Sequence, residues 1–88
     1  MHCIAMPIYH FEIIRNGHGL APSEGIDLPD IDAAWEEATT AFGQLIRDLD
    51  GSLKMGTDWS IEIQDDNRKP LRYISLASGV SLRSKSQA

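Results

Sequence analysis

Asp27, Asp32 and Glu36 are the residues of this chain whose types and spacing come nearest to a metal site. Asp32 and Glu36 stand four apart, which puts both carboxylates on one face of a helix, and Asp27 can approach from the preceding loop. Three oxygen ligands of this kind can hold a divalent ion and support a metal-dependent or small-ligand enzyme. The surrounding segment, EGIDLPDIDAAWEE, has a second reading as the start of a helix. Asp30 precedes the first residue of an apolar period, where its carboxylate can accept the orphan N–H groups of the first turn as an N-cap. Asp32, Glu36 and Glu37 then fall where the helix dipole favours negative charge, and Pro29 holds Leu28 extended. Capping accounts for the cluster without a metal.

The remaining chemical candidates are thinner. Asp48-Leu49-Asp50-Gly51 opens like a calcium loop, but the sixth position is Leu53 and the twelfth is Trp59, where an EF-hand needs Gly and Glu. His2 and Cys3 lack the second pair of ligands a structural zinc requires. His10 lies on a strand among apolar residues and reads as a surface or hydrogen-bonded histidine, while His18 sits in a turn. In Gly17-His18-Gly19 the third glycine of a dinucleotide fingerprint would fall at Pro22, and no helix opens there. Trp35 and Trp59 could stack on a ligand, yet both occupy core-periodic positions. The sequence therefore supplies no catalytic residue and no cofactor.

The elements that would position these groups follow from periodicity. Residues 7–15, PIYHFEIIR, alternate as a strand, with Tyr9, Phe11 and Ile13 on one face and Ile8, His10, Glu12 and Ile14 on the other. Asn16-Gly17 predicts a tight turn, and Gly19, Pro22 and Gly25 leave any return strand over 18–28 short, irregular or at an edge. From Ile31 the period becomes helical. Ile31, Ala34, Trp35, Ala38, Phe42, Leu45, Ile46 and Leu49 lie within about 120° of one another, and Asp50-Gly51 ends the helix. Trp59, Ile61 and Ile63 mark a further strand, DDNRKP a turn, and 71–77 its partner.

The predicted fold is α+β: an antiparallel sheet of three or four strands in hairpin–helix–hairpin order, with one long helix on one face. It forms a single domain over residues 1–77 and a tail over 78–88. Tyr9, Phe11, Ile13, Ala34, Trp35, Ala38, Phe42, Leu45, Ile46, Trp59, Ile61 and Ile63 are the expected core. On the uncovered face Ile8, Ile14, Leu71 and Tyr73 would stay partly exposed, which marks an interface.

Composition narrows the partners. One cysteine excludes an intramolecular disulfide and favours a reducing cytoplasm. No segment offers the ~20 apolar residues of a membrane helix, and the first 14 residues lack the regions of a signal peptide. The net charge of −5 opposes general nucleic-acid binding. That charge is unevenly spread, −10 through residue 66 and +5 over the last 22 residues, an asymmetry that can steer self-association or a charged partner.

MPIYHFEIIRNG, SEGIDLPDIDAAWEEA and WSIEIQDDNRKPL together resemble a family of short, uncharacterised bacterial domains. The pattern is Met-Pro-x-Tyr-x-Phe, an Asp/Asn-Gly turn, Glu-Gly-x-x-Leu-Pro-Asp-x-x-Ala-Ala before a helix, and a final hairpin. It rests on Met6, Pro7, Tyr9, Phe11, Gly17, Glu24, Gly25, Leu28, Pro29, Asp30, Ala33 and Ala34. The resemblance implies a small α+β fold and no particular activity, and because it begins at Met6, that residue competes with Met1 as the start. The hairpin, Leu-Pro loop and alanine-rich helix are also similar to antitoxin domains of the partial RNase H type. The function expected is a non-enzymatic protein-interaction module, a homodimer joined through the open face or a strand edge. The alternatives are a neutralising partner of a toxin, or the Asp27/Asp32/Glu36 enzyme.

Overall fold

The computed structural model describes residues 6–20 and 24–82. Strand β1, Ile8–Arg15, alternates as its sequence dictates and turns at Asn16 and Gly17, whose φ values of 51° and 82° match the twist of a two-residue hairpin. The chain returns as β2, His18–Gly19, and later as β3, Ile26–Asp27, which pairs with Ile8 and Tyr9 at the start of β1. Leu20 N–H donates to Ile13 O at 2.8 Å and Leu28 N–H to Pro7 O at 3.0 Å, whereas Asn16 N–H donates to Asp58 O at 2.8 Å. Successive residues of a strand bond to opposite sides. Residues 7 and 13 share a parity that 16 does not, so β2 and β3 lie one after the other along the same edge of β1. The interrupted return makes five strands where three or four were expected.

Helix α1, Ile31–Leu49, begins as its N-cap predicts, with Asp30 in extended backbone and its Oδ1 accepting from Ala33 N–H at 2.9 Å. It ends at Leu49, where Asp50-Gly51 predicts. Asp50 itself takes the left-handed conformation, φ 50°, and its N–H donates to Arg47 O at 3.0 Å, with Gly51 following at φ 82°. After a loop come β4, Trp59–Gln64, and β5, Pro70–Leu76, joined by a turn in which Asp65 Oδ1 accepts from the N–H groups of Asn67 and Lys69, both at 2.8 Å.

The sheet order is β2-β1-β4-β5, so the two longest-range partners, β1 and β4, form its centre. The core lies between their inner face and the helix: Tyr9, Phe11, Ile61 and Ile63 below, Ala34, Ala38 and Phe42 above. Ile13, Leu45 and Trp59 pack against this cluster and are half-buried. Two expected core residues are not in it. Trp35 is 37% and Ile46 40% exposed. Eleven residues apart, they fall within about 20° of each other around the helix, on the flank above β5, where the sheet runs out of strands to cover them. Ser78, assigned to the tail, is tied down: Gly56 N–H donates to its Oγ at 2.9 Å, and that Oγ donates to Thr57 O at 3.3 Å.

Candidate functional site

The sheet face away from the helix carries the even-numbered residues of β1 and β4 and the odd-numbered residues of β5, because side chains alternate and the registers are fixed. At its rim are Ile8, Leu71 and Tyr73, which are 36%, 42% and 67% exposed, while Ile14 is half-buried. Leu71 owes its place to a bulge. Ile63 pairs with Arg72 and Gln64 with Pro70, so Leu71 is the extra residue.

The centre of this face is polar. Glu12 and Glu62 are direct cross-strand partners, an arrangement in which like charges repel. Gln64 sits beside them, 5% exposed, and its Nε2 donates to Glu12 Oε1 at 2.8 Å and to Glu62 Oε1 at 2.9 Å. One amide group thus holds both carboxylates. His10 is opposite Gln64 and is half-buried, and its Nδ1 and Gln64 Oε1 are buried without a hydrogen-bond partner among the described residues. Gly19 closes over the group, since a Cβ there would collide with Glu12 Oε2. None of these four residues had signalled a cluster in the sequence, where Glu12 and Glu62 are 50 positions apart; only the β1–β4 register brings them together.

The carboxylates that did signal a site are dispersed. Asp30 is the N-cap, Asp27 belongs to β3 at the far edge of β1, and Asp32 lies 3.7 Å from Arg72 of β5 across an exposed ion pair. Among the described residues, no group of three His, Cys, Asp or Glu side chains could hold a metal ion. Asp27, Asp32 and Glu36 therefore do not form the set the enzyme reading needs. His2 and Cys3 lie outside the described residues.

The two edges of the sheet differ in kind. One is blunted by the short strands β2 and β3. The other is the whole of β5, seven residues with Arg72 as its one charged side chain. Asn16 N–H bonds Asp58 O, so even-numbered residues of β4 face β1 and its odd-numbered residues face β5. By the registers Trp59–Leu76, Ile61–Ile74 and Ile63–Arg72, the even residues of β5 from Arg72 onward bond to β4, and Tyr73 and Ser75 direct their N–H and C=O groups outward. The flank of α1 above this edge bears Trp35, with the Arg72 guanidinium 5.8 Å from its ring centre.

A five-stranded antiparallel sheet crossed by a single helix, with its polar and apolar features on the open face and one edge, defines the class as a small α+β domain. Within it, the chain belongs to the family described as Domain of unknown function (DUF6894), whose model matches residues 8–77. No curated protein and no solved structure matches the chain. No helix among the described residues is long and apolar enough to cross a membrane.

Proposed function

We propose that this domain is a non-catalytic protein-interaction module that self-associates through β5. The observation that carries the proposal is the contrast between the edges: on β5 the alternate residues Tyr73 and Ser75 direct their backbone groups away from β4, beneath an exposed apolar flank of the helix. An unprotected strand of this length is a template for another strand. Antiparallel pairing with a second copy about Tyr73 sets Tyr73 against its symmetry mate, an isologous contact with two hydrogen bonds at the centre and further bonds from Ser75 on either side. At about 1 kcal/mol each, these bonds supply only a few kcal/mol. A micromolar dimer needs about 8 kcal/mol net of the association penalty, so the bonds alone fall short. The missing part comes from apolar burial. The same approach brings the two helix flanks together and covers Trp35 and Ile46, which explains why core-patterned residues stand exposed in one copy.

Sedimentation velocity at about 10 µM tests the proposal, a concentration above the micromolar Kd assumed. The expected result is a dimer for the native chain and a monomer for Tyr73→Lys, whose added charge sits on the edge without touching the β4 ladder. Trp35→Ser is expected to weaken the dimer with β5 intact. A native chain that stays monomeric to about 100 µM would refute the proposal.

A further inference from the structure

A second feature does not use the outward edge of β5. Where β1 ends, α1 ends and the 52–57 loop passes between them, a cavity of about 410 Å³ opens, within the range of small-ligand sites. Its lining is selective in charge. Arg15 and Lys54 both border it, no carboxylate does, and neither cation has an acidic partner within ion-pairing distance among the described residues. In a chain of 13 acidic residues and net charge −5, two unpaired cations beside one cavity are a local reversal of sign.

The lining also includes neutral residues that can donate. Asn16 is clamped, its N–H donating to Asp58 O at 2.8 Å and its Oδ1 accepting from Asp58 N–H at 2.9 Å. That leaves the Asn16 NH2 group without an acceptor among the described residues, and the Thr57 hydroxyl lines the same space. The loop bearing Lys54 and Thr57 is fixed by the Thr57 N–H to Lys54 O bond at 3.1 Å and by the Ser78 contacts. Arg15 is held too, its guanidinium 5.7 Å from the ring centre of Trp59, its cross-strand partner. The adjacent end of α1 is partly neutralised, since Arg47 O and Leu49 O already accept from the N–H groups of Asp50 and Ser52. Leu49 and Trp59 supply an apolar wall.

We infer that this cavity binds a small organic oxyanion, its carboxylate or phosphate head taken by Arg15 and Lys54 and its apolar body set against Leu49 and Trp59. Arg15 provides the fork of N–H donors that oxyanions match, Lys54 a second charge, and Asn16 and Thr57 neutral hydrogen bonds. The site needs no second copy of the chain, so it stands or falls separately from self-association.

The test is a titration of the native chain with phenyl phosphate, benzoate and inorganic phosphate, followed by amide and indole NMR shifts. Saturable shifts are expected at the Trp59 indole and the 52–57 amides, with phenyl phosphate or benzoate binding more tightly than inorganic phosphate. Whichever organic anion binds better identifies the head group. Arg15→Gln and, separately, Lys54→Gln are each expected to weaken binding about tenfold, with the rest of the amide spectrum confirming an unchanged fold. Absence of saturable shifts up to about 10 mM, or affinity retained in both variants, would overturn the assignment. Equal affinity for inorganic phosphate would overturn its organic half.

Discussion

Gln64→Ala tests how the open face tolerates two opposed carboxylates. The Gln64 amide donates to Glu12 at 2.8 Å and to Glu62 at 2.9 Å, and the side chain is 5% exposed. Hydrogen bonds to charged acceptors contribute about 1.5–3 kcal/mol each, and the lower end applies because both glutamates remain half-exposed to water. The two bonds together set an expected loss of about 3 kcal/mol, to which the truncated packing adds. Urea denaturation at neutral pH, read by circular dichroism, measures it as a lower midpoint at unchanged slope. The loss contains a specific coupling: with Glu12→Gln and Glu62→Gln already in place, repulsion is gone and Gln64→Ala is expected to destabilise by about 1–2 kcal/mol less. Additivity of these substitutions, or a single-variant loss under about 0.5 kcal/mol, would refute the reasoning that the amide is the counterweight to the paired charges.

Two further substitutions probe the helix. Gly43 lies in the middle of α1 with an ordinary backbone conformation, and a Cβ there would meet nothing within 4 Å, so Gly43→Ala is expected to stabilise the fold by about 0.5–1 kcal/mol, a higher midpoint in the same urea assay. Asp30→Ala removes the carboxylate that accepts from Ala33 N–H and is expected to destabilise by about 1 kcal/mol, whereas Asp30→Asn, which keeps the acceptor, changes little in thermal unfolding.

Local chemistry was enough to place the elements. Asn-Gly set the first turn because both residues tolerate positive φ, Asp30 set the helix start because its side chain is short enough to reach Ala33 N–H, and period-two patterns set β1 and β4. The same local logic misplaced Trp35 and Ile46, since helical periodicity says which stripe turns inward and nothing about how wide the sheet beneath it is. It also drew attention to Asp27, Asp32 and Glu36, which are near in sequence but end up on the N-cap side, at one edge strand and on the helix surface.

The sequence by itself determined the α+β class, the helix and its caps, and most of the core, because these depend on neighbours within a turn or a strand. Tertiary structure alone decided which groups meet. The antiparallel register of β1 with β4 opposes Glu12 to Glu62 and seats Gln64 between them, the end position of β5 turns the backbone groups of Tyr73 and Ser75 outward, and chain closure gathers Arg15 and Lys54 around one cavity. These are contacts between residues tens of positions apart. Their formation depends on strand order and register, which no local propensity encodes.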